Sequence, residues 1–197
     1  SFERSSIQKV SATLGENTLN LGLQAGLIGL IIVSMYLILY YRILGLVAIL
    51  GLTSFGLLFY SVISLLGEYQ GFTLTLSGIA GIIVSIGLAA DSYIVTFEKF
   101  KDEIKIGRSF QFAADKAATD AWKTIVTADF VSLSAAVLLY ILAIGPIRGF
   151  ALALGVATIF DLFFTRLYTR NTVPLVSTFS NSPRGYFPIK MKDLVND

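Results

Sequence analysis

Five long apolar runs dominate this chain of 197 residues and limit what it can fold into. Each run holds about 20 mostly apolar residues, the length that an α-helix needs to cross the hydrocarbon core of a bilayer. Only 14% of the residues are charged, whereas soluble domains average about 25%. The pattern predicts an all-α membrane protein, a half-bundle of five transmembrane helices, with spans at residues 19–41, 44–66, 74–99, 124–143 and 147–170.

The segments outside these runs differ in character. Residues 1–16 are polar and precede a run that is too long for the apolar region of a secretory signal, so they predict an extracytoplasmic segment rather than a cleaved leader. Residues 100–123 predict a cytoplasmic loop with a turn near Gly107 to Ser109 and an amphipathic helix along the interface, or else a plain solvated connector. Residues 171–197 hold three of the four prolines and predict a cytoplasmic tail or linker.

Composition excludes several kinds of chemistry. The chain has no cysteine and no histidine, which removes disulfides, zinc ligation by thiolate or imidazole, and activation of a nucleophile by histidine. It also has no Gly-Lys dipeptide for a phosphate-binding loop and no G-x-S-x-G motif. We therefore expect no enzyme activity, no cofactor and no metal, and any proton transfer must fall to carboxylates.

The basic residues predict the topology. Alternate loops on one side of the five spans hold twelve of the fifteen lysines and arginines, and the other side holds Arg4, Lys9 and Arg148. Because cytoplasmic loops carry the excess of basic residues, the N-terminus is predicted outside and the C-terminus in the cytoplasm of a multi-pass plasma-membrane protein. An odd number of spans that begins outside predicts one more span upstream. Nucleic-acid binding is not indicated, since topology accounts for these charges.

Asp91 lies within the third apolar run. A carboxylate deep in a bilayer costs several kcal/mol, so such residues usually serve an ion pathway, a proton relay or a counter-ion. We expect Asp91 to be buried without a charged partner, where it can take up and release a proton. The alternative is that it hydrogen-bonds a neighbouring hydroxyl and only fixes helix packing.

Small residues recur around Asp91 along one helical stripe. Small side chains let helix backbones approach closely in lipid, where no hydrophobic force draws helices together. The stripe therefore predicts that the third span lies inside the bundle. The predicted packing residues are Gly78, Gly81, Ser85, Gly87 and Ala89.

Three further acids lie in or near the spans. Asp129 is predicted close enough to the cytoplasmic interface to be hydrated, and it suits an anchor as well as a proton relay. Asp161 lies deeper, with Arg166 five residues later as either an ion-pair partner or a cation that extends to the surface. Glu98 is expected at the membrane exit, in a surface cluster with Lys99 and Lys101.

Residues 78–109, GIAGIIVSIGLAADSYIVTFEKFKDEIKIGRS, resemble the signature of the SecD family of bacterial secretion membrane proteins. Their G-I-A-G start, A-x-D, F-E-K exit and E-x-x-x-G-R-S correspond to that pattern. Further similarity lies in the Tyr40–Arg42 exit and in GPIRGFA from Gly145, so the resemblance covers roughly residues 13–170. The chain departs from the family at Tyr93, where Asn is usual, at Asp129, where the acid has moved by two positions, and at Asp161, where Ser is expected.

The resemblance implies a member of the resistance-nodulation-division superfamily that contributes the second to sixth spans of a six-helix half. It further implies a SecF half as partner, a large extracytoplasmic domain, and use of the proton-motive force to assist preprotein translocation. Expected partners are SecF, the SecYEG channel, a YajC-type small subunit and unfolded preprotein. Asp91 is the expected proton carrier, and Asp129 and Asp161 are candidates for the same relay.

Two other functions stay open on the sequence alone. Other members of the superfamily export small hydrophobic compounds with proton-motive force, which would require a substrate cavity outside the bundle. A membrane scaffold for the translocation channel would use Asp91 only for packing.

Overall fold

The computed structural model of the protein describes residues 12–70 and 76–179, which form five α-helices and no strand. All five helices are long and apolar enough to cross a membrane. The all-α membrane fold predicted from the apolar runs is confirmed. The helices are α1 (Ala12–Tyr41), α2 (Ile43–Gln70), α3 (Leu76–Lys105), α4 (Phe110–Leu142) and α5 (Pro146–Phe179).

The helices extend well beyond the apolar runs. Residues 106–109 alone separate α3 from α4, so the segment 100–123 has the predicted turn near Gly107 to Ser109 with helix on both sides of it, and not the plain connector. The stretch predicted as an interfacial helix continues without interruption into α4. α5 runs through residue 179, into the predicted tail, and α1 begins within the predicted segment 1–16. The remainders of both terminal segments, residues 1–11 and 180–197, lie outside the described residues.

The extension of α4 has a physical cause in its sequence. Alanine is the best helix former, and residues 113–121 contain Ala113, Ala114, Ala117 and Ala121, all fully buried. Lys116 and Asp120 lie four residues apart on this helix. The Lys116 ammonium is 2.8 Å from an Asp120 carboxylate oxygen, an ion pair that stabilises the helix modestly. Ala113, Ala114 and Ala117 belong to the same buried cluster as side chains from the end of α3, so the first turns of α4 pack against α3.

Glycines form the turns at both ends of α4. Gly107 has φ +85° and Gly145 has φ +67°, a left-handed conformation that side chains disfavour and that commonly ends helices. The Gly107 N–H donates to the Ile104 carbonyl at 2.9 Å, which closes the last turn of α3. Pro146 then opens α5, a position where its missing N–H costs nothing. These turns bring α3, α4 and α5 into an antiparallel arrangement.

The three helices α3, α4 and α5 form the most extensive mutual contacts, and α1 and α2 form a hairpin beside them. Aromatic rings join α2 to α5: the Phe55 ring lies 5.4 Å from Phe160 and 5.8 Å from Phe164, distances typical of favourable aromatic pairs. Large apolar side chains cover much of the outer surface, as expected for helices that face lipid. The end of the bundle at residues 106–109 is called the basic end below, because it carries Arg42, Lys101, Lys105, Arg108 and Arg170.

Candidate functional site

The small-residue stripe of α3 lies against α5. A Cβ added at Gly81 would stand 3.0 Å from the Phe150 carbonyl oxygen and 3.0 Å from the Ala153 Cβ, so glycine permits an approach that any larger residue would tighten. Ser85 and Ala89, one and two turns further along, are also buried, as is Gly78. The stripe therefore produces the close α3–α5 contact that positions the polar residues beyond it.

Gly87 lies on a different face of α3. It is exposed, and a Cβ added there would meet nothing within 4 Å. It borders an apolar groove of about 500 Å³ between α1, α2 and α3. Although its spacing suggested packing, Gly87 makes no close helix contact within the described residues.

Asp161 occupies the centre of the α3–α5 contact. Its side chain is only 2% exposed. One carboxylate oxygen accepts a hydrogen bond from the Ser92 hydroxyl of α3 at 3.0 Å, and the other accepts one from the Thr165 hydroxyl at 3.0 Å. Two hydroxyl donors thus replace the water that an acid at this depth loses.

Asp129 approaches the same place from α4. It is 5% exposed, and its Oδ2 has no hydrogen-bond partner among the described residues. A negative charge on Asp129 and one on Asp161 would repel each other. The sequence-based expectation that Asp129 is hydrated is wrong, because the packing of α4 against α3 and α5 buries its side chain. Asp129 and Asp161 are called the inner carboxylate pair below.

Asp91 faces away from this pair. It is exposed on the surface of the described chain, contrary to the predicted burial. Within residues 12–70 and 76–179, no hydrogen-bond donor or cation contacts its carboxylate. The reason is geometric: Ser92, the next residue, points into the α3–α5 contact, so Asp91 is rotated about 100° away from it on the helix.

The three carboxylates lie at one level of the bundle. Asp91 and Asp161 are equally far from the first residues of α3 and α5, and Asp129 is similarly far from the last residue of α4. These helix ends are adjacent, because the Ser77 hydroxyl donates to the Pro146 carbonyl. At a rise of about 1.5 Å per residue, all three acids lie roughly 20 Å from that end.

Arg166 does not pair with Asp161. Its guanidinium carbon stands 4.9 Å from the centre of the Trp122 ring on α4, a cation–π contact that holds the charge towards the basic end. The sequence left open whether Arg166 pairs with Asp161 or extends towards the surface, and the structure has the second arrangement. The inner carboxylate pair consequently has no cationic partner among the described residues.

Glu98 forms a second polar cluster where α1 and α3 reach the basic end. Its carboxylate accepts a hydrogen bond from the Tyr41 hydroxyl at 2.8 Å and lies 3.2 Å from the Lys101 ammonium. Lys101 also donates to the Tyr40 hydroxyl at 3.0 Å. The cluster predicted around Glu98 includes Lys101, whereas Lys99 is exposed and takes no part in these bonds. Two tyrosines that the sequence did not implicate complete it.

Replacing Tyr41 with phenylalanine should lower the free energy of unfolding by about 1–2 kcal/mol, because a hydrogen bond to a charged acceptor is lost while the buried ring remains. The change is measured as a lower midpoint of thermal unfolding in detergent. Tyr36→Phe is the matched control, since Tyr36 is 49% exposed and Tyr36–Tyr40 ring stacking does not need its hydroxyl. Equal midpoints for both variants would show that the Tyr41–Glu98 bond does not stabilise the fold.

Tyr93 fills the space between α2, α3 and α5. It is 1% exposed, and a Cβ added at Gly51 of α2 would stand 2.3 Å from its hydroxyl oxygen. Its ring meets that of Tyr168 edge to face at 5.8 Å, and Tyr168 donates to the Val47 carbonyl at 2.8 Å. Tyr93 thus acts in packing between α2, α3 and α5.

Sequence reasoning missed the buried hydroxyls of α5, of which the Thr165 hydroxyl bonds to Asp161. Thr158, Thr165 and Thr169 lie on the same face of α5 as Asp161, and all three are buried. Their spacing of seven and four residues, in register with the acid, is the signal that could have identified them.

Comparison with known proteins gives consistent results. The sequence matches the family described as protein export membrane protein SecD/SecF, C-terminal, over residues 1–177. The chain is 49% identical over 180 residues to protein translocase subunit SecD of Mycobacterium tuberculosis, which covers 91% of this chain and 31% of the relative. It is 42% identical over 176 residues to SecD of Streptomyces coelicolor, and that match covers 89% of this chain and 31% of the relative.

The fold also resembles solved structures. A crystal structure of SecDF, a translocon-associated membrane protein from Thermus thermophilus, superposes with a TM-score of 0.78 at 32% identity, covering 91% of this chain and 24% of that one. A structure of SecDF in a super-membrane-facing form superposes with a TM-score of 0.77 at 31% identity, covering 90% of this chain and 23% of that one. The chain thus spans about a third of the curated relatives' length and about a quarter of each of these structures.

Proposed function

Because the chain belongs to the SecD/SecF family of protein export membrane proteins, we propose that it is the membrane bundle of a SecD-type subunit of the Sec protein translocase. The subunit assists the movement of preproteins across the bacterial plasma membrane and draws its energy from the proton-motive force. The observation that carries this proposal is an exposed, unpaired carboxylate, Asp91, in the middle of a membrane-spanning helix.

Asp91 is the proton carrier in this proposal. Its position on the surface of the described chain leaves it open to a second membrane half, and the SecDF proteins of similar fold support SecF as that half. Further proposed partners are the SecYEG channel, a YajC-type small subunit and the unfolded preprotein. A charged and a neutral Asp91 favour different packings of the two halves, which is the condition for proton flow to do work.

The inner carboxylate pair belongs to the same relay. Ser92 follows Asp91 directly on α3 and donates its hydroxyl to Asp161, so the two acid sites share one turn of helix. A rotation of α3 that responds to Asp91 therefore alters the hydrogen bonding of Asp161. The basic end faces the cytoplasm in this proposal, in accordance with the positive-inside rule.

A chimera tests the proposed function. The segment of Streptomyces coelicolor SecD that matches this chain is replaced by it, and the chimera is expressed in a strain depleted of its own SecD. Export of a secreted reporter should return close to the level that the unaltered protein supports. A chimera that accumulates normally in the membrane without restoring export would contradict the proposal.

Two further readouts separate the alternative functions. Loss of resistance to small hydrophobic compounds in a depleted strain with normal secretion would favour a small-molecule exporter. Full restoration of export by a chimera that carries Asp91→Asn would favour a scaffold, in which the carboxylate serves packing alone.

A further inference from the structure

We propose that the inner carboxylate pair is a second proton-binding site, connected to the basic end of the bundle through Thr165, one water molecule and Thr169. This inference rests on the proposed function and deepens it, because it assigns the route between the carboxylate level and the cytoplasm. Four observations support this inference.

The pair itself is built to hold a proton. Asp161 and Asp129 are 2% and 5% exposed, so negative charges on both acids would repel each other. Leaving two buried like charges without a cation is strongly unfavourable. A proton bound at the pair removes the repulsion and can provide a hydrogen-bond donor for the free Oδ2 of Asp129.

The side chains that face Asp161 do not neutralise its carboxylate, so a bound proton is the positive charge that can do so. Ser92 and Tyr93 face it from α3, Asp129 from α4 and Thr165 from its own helix. None of these side chains is a cation. Arg166, one turn away, directs its guanidinium over Trp122 and towards the basic end.

A small cavity begins beside this pair. It lies between α3, α4 and α5, has a volume of about 10 Å³, and is lined by Thr96, Trp122, Thr165, Arg166 and Thr169 among others. A cavity of this size accommodates about one water molecule, provided that polar partners are available. Thr165 connects the inner carboxylate pair to the cavity, because it lines the cavity and its hydroxyl donates to Asp161.

Thr169 supplies the second polar partner. Thr169 is buried, with 5% of its surface exposed, and its hydroxyl has no hydrogen-bond partner among the described residues. A buried hydroxyl without a partner is unfavourable unless water satisfies it. A water molecule between Thr165 and Thr169 satisfies both hydroxyls and passes a proton on towards Arg166 and Arg170 at the basic end.

The test uses the complete SecD-type protein with its partner, reconstituted in vesicles across which a pH gradient is imposed. A pH-sensitive dye on the side of the basic end reports proton flux. Thr169→Val, which removes the hydroxyl and keeps the shape, should reduce the flux several-fold, and Thr169→Ser should restore it. Thr158→Val is the matched control, because the Thr158 hydroxyl is also buried but bonds only within its helix, to the Leu154 carbonyl at 2.9 Å.

Infrared difference spectroscopy provides a readout that a change in packing alone would not give. A carboxylic acid C=O band that appears on acidification should disappear in Asp161→Asn and remain in Thr158→Val. If Thr169→Val conducts as well as Thr158→Val while Asp91→Asn abolishes flux, the route is wrong and the proposed function stands. If Asp91→Asn conducts normally, the proposed function itself fails.

Discussion

Replacing Asp91 with asparagine is expected to abolish the part of preprotein translocation that depends on the proton-motive force. Asparagine has nearly the same size but cannot take up or release a proton at the carboxylate position. Because Asp91 makes no hydrogen bond or ion pair within the described residues, its replacement should leave the bundle intact. The measurement is translocation of a preprotein into vesicles that contain the full complex, with and without a proton gradient.

Asp102→Asn is the control for this variant. Asp102 lies on the same helix near the basic end, is exposed, and forms only a 3.6 Å surface ion pair with Lys105, which contributes little to stability. Its replacement should leave gradient-driven translocation unchanged, and Asp91→Glu, which keeps a titratable carboxylate, should retain part of it. Stimulation by the gradient that persists in Asp91→Asn would remove Asp91 from the proton pathway.

The second large effect is expected at Gly45, at the start of α2. A Cβ there would lie 2.2 Å from the Leu37 carbonyl oxygen and 2.9 Å from the Ile38 Cα, which are backbone atoms of α1. Backbone cannot yield as a flexible side chain can, so Gly45→Ala must separate the α1–α2 hairpin. By analogy with overpacked cores, we expect a loss of about 1–3 kcal/mol in stability.

Thermal unfolding of the detergent-solubilised protein measures this loss. Gly56→Ala serves as the control, because Gly56 lies on the same helix and a Cβ there meets nothing within 4 Å. Removing glycine from a helix by itself favours the helical state, so Gly56→Ala should unfold at the same or a slightly higher temperature. A Gly45→Ala variant as stable as the Gly56→Ala variant would contradict the close approach of α1 and α2.

The sequence predicted the helices well because each apolar run carries its own signal of length and composition. The residues at which the helices begin and end were harder to predict. The charged residues between 100 and 123 left a helix and a solvated connector both open, and the packing of Ala113, Ala114 and Ala117 in one buried cluster with side chains of α3 favours the helix. A pattern of polarity does not reveal that a polar segment has a neighbour to pack against.

The three acids could be singled out from the sequence, but their surroundings could not. Helical spacing alone gives the angle between Asp91 and the small-residue stripe, but it does not say which face another helix covers. The stripe lies against α5, which places Asp91 outside and brings Asp161 to Ser92. The inner carboxylate pair depends on the register of α4 against α5, which no local pattern contains.

The common level of the three carboxylates also determines how a membrane voltage acts on them. Moving one elementary charge across 100 mV corresponds to about 2.3 kcal/mol, so a proton that reaches a level midway through the bilayer gains about half of that. A proton that passes sideways between Asp91 and the inner carboxylate pair crosses almost none of the electric field. In the proposed relay, voltage therefore drives the steps to and from this level, whereas exchange within it responds only to local chemistry.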